Sequence, residues 1–363
     1  MTATRSQTKK AAESGGAPPP ESAPEESRAK PGSKHKTTDR EPESSAGGPE
    51  PKRTKKESQS PPKTKAVKNE NGSAVEAHGR DEEVPSNILE KGIIYFFFRG
   101  RVNTGTDGNA PSSVDDIARS FILLRPIAAD AKLGSGPIGD AGNSRLLAVP
   151  KKVLPQTGRD RWICFVEKAG ASFDKLKEEF LSGSEYATKT KGTRHTPAVT
   201  PVGEGIYAIT TTGRESHLAY MLTLPAKLGE VQTAIGLKEK GSFIISTRNP
   251  GYSAPGNARL PKGPEYPKEV LDEFRSLRWM PTLPKHLDYV NSQILLVGES
   301  SGIEKALEPQ DTKNDVEDPA EEMEKLSEED AQRMKGLSSD DSSRIFADLE
   351  VHAKDYPKLQ TTF

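Results

Sequence analysis

Runs of apolar residues separated by Gly-, Pro- and Asp-rich stretches predict that residues 86–300 consist mainly of β-strands. Residues 93–98 (IIYFFF) are continuously apolar, which is typical of a strand that is buried on both faces. The segment Thr212-Gly213-Arg214-Glu215 lies between two such runs and is suited to a hairpin turn. About eight strands are predicted, at residues 91–99, 120–125, 145–149, 161–166, 205–211, 217–224, 242–247 and 293–297.

Apolar residues at helical spacing predict three helices within the same segment. Ser172 is a suitable N-cap for a helix over residues 172–181. A Pro in the first turn and a Gly at the end favour a second helix over residues 225–236. A Pro in the first turn and apolar residues at helical spacing favour a third helix over residues 267–277. Because helices and strands do not alternate regularly, the predicted fold class is α+β: a single domain with a mixed, largely antiparallel sheet.

Composition divides the chain into three predicted parts. Residues 1–85 contain almost no large apolar side chains and show no periodicity, so we expect a disordered, basic and Pro-rich arm. Residues 86–300 carry 28 basic and 22 acidic residues and are expected to form the globular domain. Residues 301–363 carry 17 acidic and 8 basic residues and are expected to form an acidic, partly helical tail.

The acidic tail contains two stretches with helical periodicity. Asp318 and Pro319 provide an N-cap and a first helical residue for residues 318–336. Residues 342–354 place Ile345 and Leu349 on one stripe. One interpretation is a pair of solvated helices loosely docked on the domain; the other is an amphipathic helix that binds a protein partner.

A cluster of basic residues in the N-terminal arm indicates a localisation signal. Lys52, Arg53, Lys55 and Lys56 lie within six residues and follow a proline. An import receptor with acidic pockets can bind such a flexible basic segment. We therefore predict an import receptor as a partner and the nucleus as the location, with a distribution between nucleus and cytoplasm as the alternative. The alternative interpretation of this basic cluster is a solvated linker that binds phosphates only weakly.

Several chemistries are excluded or disfavoured by the residue types present. The single cysteine, Cys164, cannot form an intrachain disulfide framework, and its place beside Trp162 and Val166 predicts a buried core residue rather than a nucleophile. No apolar run approaches the ~18–20 residues that a membrane span needs, so no membrane partner is expected.

The sequence offers no cofactor or metal signature. Residues 134–139 spell G-x-G-x-x-G, but a strand rather than a helix follows them, so the phosphate cradle of a dinucleotide site is missing. His195, His217 and His286 never occur at the spacing of metal-ligand pairs. We therefore predict no cofactor and no metal.

Basic residues near strand ends suggest a candidate anion-binding surface. Arg99 and Arg101 are two residues apart and share a face if the strand extends that far. Lys189, Lys191 and Arg194 belong to a turn-rich basic loop. If these cations converge, they would bind nucleic acid or another polyanion; the alternative is that the cations are scattered.

A second candidate is the edge of a pocket. The run SFIIST ends in Arg248 and Asn249 followed by Pro-Gly, which makes a tight turn rich in hydrogen-bond donors. His217 begins another strand. A catalytic site of Ser216, His217 and Asp288 can be imagined, yet no elbow motif surrounds the serine, so no catalytic residue is assigned.

The segments EKGIIYFFFRGRV, GEGIYAITTTGRESHLAYMLTLP and LGEVQTAIGLKEKGSFIISTRNP together resemble a family of uncharacterised fungal and bacterial proteins. The resemblance covers roughly residues 88–298. Fungal members of that family are often labelled "BTB domain transcription factor", which implies a nuclear role, while shorter bacterial members imply binding of a small ligand. This chain itself has no BTB hallmark, zinc finger, basic zipper or helix-turn-helix pattern.

Two hypotheses of different classes follow. The first is a nuclear, non-enzymatic regulatory or binding protein, associated with transcription, that contacts an anionic partner or a protein. The alternative is a small-molecule-binding domain or an enzyme whose pocket lies near Arg248, Asn249 and His217.

Overall fold

The strands of this chain pair on both sides and thereby close into a barrel. The computed structural model describes residues 73–76, 85–101, 114–188, 192–253, 262–309 and 318–337. The strands are β1 (Val75–Glu76), β2 (Ile88–Gly100), β3 (Ile117–Ile127), β4 (Lys132–Leu133), β5 (Ser144–Val149), β6 (Arg161–Ala171), β7 (Ser184–Thr188), β8 (Gly192–Thr196), β9 (Val199–Thr211), β10 (Ser216–Leu224), β11 (Lys240–Arg248), β12 (Trp279–Pro281) and β13 (Gln293–Gly298). The helices are α1 (Phe173–Leu176), α2 (Glu230–Ala234), α3 (Lys268–Glu273) and α4 (Pro319–Leu337).

Eight of these strands form the barrel in the order β2-β3-β5-β6-β13-β11-β10-β9, and β9 pairs again with β2. Every pairing in the barrel is antiparallel. Strand β12 pairs with the end of β11, beyond the point where β10 stops. The predicted α+β class with a largely antiparallel sheet is confirmed, and each of the eight predicted strands is one strand of the barrel.

Alternating side chains divide the apolar residues between the inside and the outside of the barrel. One buried cluster receives side chains from all eight strands and therefore fills the interior; Phe96, Tyr220 and Phe243 belong to it. A second cluster receives alternate residues of β2, β3, β5, β9 and β10 and lies on the outer wall. The continuously apolar residues 93–98 are buried because odd positions face outward under a cover and even positions face inward.

Both ends of the barrel are closed by short segments. At one end, Ile235 and Leu237, which follow α2, join the interior cluster, and the backbone N–H of Leu154 donates to the carbonyl of Ile235 at 2.8 Å. At the other end, a 3₁₀ turn over Pro284–Asp288 inserts Leu287 into the same cluster. The interior is therefore packed with side chains from the wall and from both closing segments.

The predicted helices form, but two of them are shorter than their patterns indicate. Helix α1 has its N-cap at Ser172 and continues as a π-helical turn over Lys177–Leu181. Helix α2 begins only after Gly229, whose backbone N–H donates to the side chain of Gln232 at 3.2 Å. Helix α3 ends early because Arg275 adopts a positive φ of 50°, which a continuing helix cannot accommodate.

Helix α4 packs against the outer wall of the barrel rather than extending into solvent. Asp318 caps it by accepting a hydrogen bond from the backbone of Ala320 at 2.9 Å. Met323, Leu326 and Met334 are buried in the outer cluster. Packing thus continues past residue 300, the predicted end of the globular domain. The second predicted tail helix, over residues 342–354, lies outside the described residues.

Two sets of ion pairs whose side chains are at most 1% exposed hold α4 on the barrel. Lys91 of β2 lies 2.6 Å from Glu322, and both side chains are 1% exposed. Arg333 lies 2.6 Å from Asp330 and 3.4 Å from Glu204 of β9, with all three side chains at 0% exposure. Such charges are stable in the interior only as pairs, so they specify the orientation of α4 on the wall.

Candidate functional site

Arg99, one of the residues predicted to bind an anion, makes internal contacts instead. The guanidinium of Arg99 donates to the backbone carbonyls of Pro197 and Phe180 and lies 5.9 Å from the ring centre of Phe121. Burial lowers the pKa of Arg99. This arginine therefore ties the π-helical turn to the wall.

The other predicted anion-binding residues lie apart from those contacts or outside the described chain. Arg101 is exposed, and Arg194 is half-buried on β8. Lys189 and Lys191 lie outside the described residues, as do the predicted localisation residues Lys52, Arg53, Lys55 and Lys56. Sequence reasoning missed Arg119, which pairs directly with Arg99 across β2 and β3 and is exposed.

The residues predicted at a pocket edge are each held by a structural contact. The amide of Asn249 donates to the carbonyl of Leu277 at 3.0 Å, and its side-chain oxygen accepts from the backbone of Gly251 at 2.9 Å. Arg248 donates to Gln293 at 2.9 Å and to the carbonyl of Tyr252. Burial, together with the nearby charge of Arg278, lowers the pKa of Arg248.

His217 is buried on the outer wall and paired with a carboxylate. Its Nδ1 lies 2.9 Å from Glu299, which also accepts a hydrogen bond from Ser242 at 2.6 Å. Although burial alone would raise the pKa of Glu299, the hydrogen bonds from His217 and Ser242 lower it. Ser216 is the neighbouring residue on the strand and therefore faces the opposite side of β10, so it cannot be activated by His217.

Cys164 and Arg145 are also buried. Cys164 faces the interior with 0% exposure, and burial raises the pKa of its thiol to about 12. Arg145 binds both Glu90, at 2.6 Å, and Asp288, at 2.7 Å. Burial alone would lower the pKa of Arg145, but Glu90, Tyr207 and Asp288 together outweigh burial and the pKa is raised. Arg145, Glu90 and Asp288 hold together the end of the barrel that the Pro284–Asp288 turn closes.

His286 completes this closed end and is neutral. Its Nδ1 accepts a hydrogen bond from the backbone of Leu283 at 3.1 Å, and its ring stacks on Phe274 with 5.6 Å between ring centres. Burial lowers the pKa of His286 to about 4. Because Nδ1 accepts, the proton of the neutral ring lies on Nε2, which has no hydrogen-bond partner among the described residues.

No group of three or more His, Cys, Asp or Glu residues is placed to hold a metal ion in the part of the chain that the structure describes. The G-x-G-x-x-G segment forms a loop: Arg125 donates to the carbonyls of Ile138 and Gly139, and β5 follows. Among the described residues, no helix is both long and apolar enough to span a bilayer.

The outer wall of the barrel differs sharply between its two halves. The half formed by β2, β3, β5, β9 and β10 lies under α1 and α4. The outward apolar side chains of β6, β11, β12 and β13 are half-buried and absent from every buried apolar cluster of the described residues, while the outward polar ones range from buried to exposed. We call this surface the open face; its apolar residues are Ile163, Phe165, Ile244, Trp279, Pro281, Leu295 and Val297.

Strand register arranges the open face in three rows. The central row runs Pro281, Ser246, Leu295 and Ile163 across four strands. On one side of it lies the row of Ile244, Val297 and Arg161. On the other side lies the row of Trp279, Arg248, Gln293 and Phe165, in which Arg248 donates to Gln293. Cross-strand neighbours of this kind form a continuous surface.

The predicted pocket-edge residues lie at the border of the open face. Arg248 belongs to its last row, Asn249 starts the turn after β11, and His217 pairs with Ile244. The face itself was missed from the sequence. The alternation Arg161, Ile163, Phe165, Glu167 along β6 was the available signal, because it puts apolar residues on the side opposite Cys164.

Comparisons of the chain with protein-family models, with curated proteins and with solved structures yield no match. The function is therefore inferred from the geometry of the chain itself.

Proposed function

We propose that this protein is a non-enzymatic binding protein whose barrel docks a protein partner on the open face. The observation that carries the proposal is the half-buried apolar surface of Ile163, Phe165, Leu295 and Val297, which no buried cluster of the described residues incorporates. Contiguous apolar surface of this kind is a mark of a protein interaction site.

The buried state of the reactive groups supports binding rather than catalysis. Cys164, His217 and His286 each have 0% exposure. A nucleophile or general base must reach its substrate, so these groups are better explained as parts of the fold.

A charge placed in the centre of the open face tests the proposal. Ser246 is half-buried at the middle of the central row, so Ser246→Arg adds a charge without removing an apolar contact. Ser327→Arg on α4 is the matched control, since Ser327 is also a half-buried serine but lies on the other half of the wall. A photo-crosslinking residue in place of Pro281 reports the partner in the cells that make the protein.

The expected result is that Ser246→Arg removes the crosslinked species and Ser327→Arg keeps them, with unchanged circular dichroism for both. Identical crosslinks in the two variants would refute a docking role for the open face.

Contact with a polyanion is the second candidate function. It is supported by Arg119, which lies directly opposite Arg99. Like charges in that position are unfavourable in a sheet; Glu167 offsets part of the charge of Arg99, and Arg119 is exposed to an external anion. Salt-sensitive retention on a heparin column, lost when Lys189, Lys191 and Arg194 become Glu, is the expected behaviour; a protein that flows through at low salt excludes it.

Location in the nucleus is part of the same proposal and rests on the basic cluster of the N-terminal arm. Replacing Lys52, Arg53, Lys55 and Lys56 by Ala in a fluorescent fusion is expected to move the signal to the cytoplasm. An unchanged distribution removes the support for an import receptor.

A further inference from the structure

Arg248, in the last row of the open face, is a buried cation whose hydrogen bonds go to uncharged groups. It is 6% exposed, and its guanidinium donates to the side-chain oxygen of Gln293 at 2.9 Å and to the carbonyl of Tyr252. Its Nε has no hydrogen-bond partner among the described residues. A guanidinium stays charged at neutral pH, and a buried charge without a counter-ion is unfavourable. An anion brought to this site from outside is therefore expected to stabilise it.

The other buried cations of the described residues show how such a charge is otherwise accommodated. Lys91, Arg145 and Arg333 each lie 2.6 Å from a carboxylate oxygen. Arg125 forms no ion pair with a described residue, but its guanidinium lies 4.1 Å from the centre of an aromatic ring. Within the described part of the chain, Arg248 has neither a carboxylate nor a ring against its guanidinium. Its charge is the one that the described fold leaves uncompensated.

A second arginine adds to the same positive charge. Arg278 is exposed, and its guanidinium lies 5.4 Å from the ring centre of Tyr252, the residue whose carbonyl accepts from Arg248. Burial and then the charge of Arg278 lower the pKa of Arg248, so the two cations act on each other. Residues 254–261, which follow this turn, contain no Asp or Glu and therefore offer no carboxylate. This edge of the open face thus combines one buried and one exposed cation.

Resting on the proposed function of the open face, we infer that its partner is a protein segment in which an Asp or Glu carboxylate accompanies apolar side chains. Arg278 is exposed and can bind the carboxylate directly, and Arg248 adds its charge at the same edge. Guanidinium groups match carboxylates in shape as well as in charge. Trp279 and Phe165 lie in the same row as Arg248, so apolar side chains of the partner find apolar neighbours beside the charged site.

Strand geometry gives the spacing of the two features in the partner. Ser246 of the central row and Arg248 are alternate residues of β11, so their outward side chains start ~6.6 Å apart. An extended partner segment presents alternate side chains at the same ~6.6 Å interval. A segment with an apolar residue two positions from an Asp or Glu therefore fits the central row and the arginine edge together.

The full chain with a photo-crosslinking residue in place of Pro281 tests the inference in the cells that make the protein. Arg278→Glu is expected to lower the yield of crosslinked protein about 10-fold or more, because it sets like charges against each other. Arg278→Lys keeps the charge and is expected to lower it less than about 3-fold. Arg275→Glu, at an exposed arginine three residues earlier, is the matched control and is expected to leave it unchanged. Arg248→Met is expected to act like Arg278→Glu, and its urea midpoint shows whether it folds.

The outcomes separate this inference from the proposed function. Mass spectrometry of the crosslinked peptide is expected to find an Asp or Glu within about two residues of an apolar residue at the crosslink. If Ser246→Arg removes the crosslinked species while Arg278→Glu does not, the acidic partner is wrong and the docking face stands. An equal loss with Arg275→Glu, a crosslinked segment without an acidic residue, or a crosslink to nucleic acid also overturns the inference. If Ser246→Arg has no effect, the docking face itself fails.

Discussion

Lys91 and Glu322 offer the sharpest test of how α4 is held on the barrel. Their charged atoms are 2.6 Å apart and each side chain is 1% exposed. Replacing Lys91 by Met leaves the Glu322 carboxylate without its cation in a site that water does not reach. Replacing Glu322 by Leu does the same to the Lys91 ammonium.

The expected magnitude follows from the burial of both partners. Breaking a fully buried ion pair from one side costs about 3–5 kcal/mol of unfolding free energy, whereas replacing both partners by apolar residues is often close to neutral. Lys91→Met and Glu322→Leu are each expected to destabilise the protein by that amount. The double variant is expected to lie within about 1–2 kcal/mol of the parent, so the two substitutions couple by several kcal/mol.

The same helix supplies a matched control. Lys240 and Glu324 are also a lysine–glutamate pair between the barrel and α4, but they are 3.3 Å apart and their side chains are 54% and 63% exposed. Lys240→Met and Glu324→Leu are expected to cost at most about 1 kcal/mol each, because solvent screens the pair.

Urea unfolding followed by circular dichroism and by the fluorescence of Trp162 and Trp279 measures these effects. With a slope of about 2–3 kcal/mol/M, a loss of 3–5 kcal/mol lowers the midpoint by about 1–2 M. A midpoint shift for Lys91→Met no larger than that of Lys240→Met would refute the reasoning, because burial would then have no energetic consequence. The reasoning would also be refuted if the double variant lost as much unfolding free energy as the two single variants lose in sum.

Two further predictions concern buried titratable groups. The pKa of His286 is lowered from 6.5 to about 4, so the folded protein keeps the ring neutral while the unfolded chain takes up a proton below pH 6.5. The stability that neutral His286 contributes is therefore complete above pH 6.5 and is lost progressively as the pH falls to about 4, by roughly 3 kcal/mol in total. His286→Gln is expected to flatten that part of the curve of unfolding free energy against pH. An identical slope in the variant contradicts the assignment. Cys164, with a thiol pKa raised to about 12 and 0% exposure, is expected not to react with a thiol reagent at pH 8 in the native protein and to react fully in urea. Fast labelling of the native protein would mean that the interior of the barrel opens.

The local pattern of apolar residues was sufficient to predict the strands, because strand formation depends mainly on residues that are close together in the chain. The continuous run at residues 93–98 and the apolar surroundings of Cys164 both predict buried strands, and both are buried in the structure. The N-cap at Ser172 and the one at Asp318 are also where the sequence places them. Short elements such as β1, β4 and β12 escaped prediction, because two or three residues carry no detectable period.

The candidate site could not be predicted in the same way, because its residues meet only through the closed barrel. Arg99 was predicted to bind an anion, but in the structure its guanidinium donates hydrogen bonds to the carbonyls of Pro197 and Phe180. The alternation along β6 indicates which of its sides faces the barrel interior, but whether the outer side is covered depends on where α4 packs, and the sequence of β6 does not record that position.

The amino-acid sequence by itself determined the eight barrel strands, the α+β class and the ends of several helices, since periodicity, caps and turns act over a few residues. Tertiary structure alone decided that the sheet closes, that α4 covers one half of its wall, and that the other half is the open face. Closure joins β6 to β13, and Arg145 reaches Asp288 across 143 residues of chain. Contacts over such separations depend on the packing of the whole domain, which no local pattern encodes.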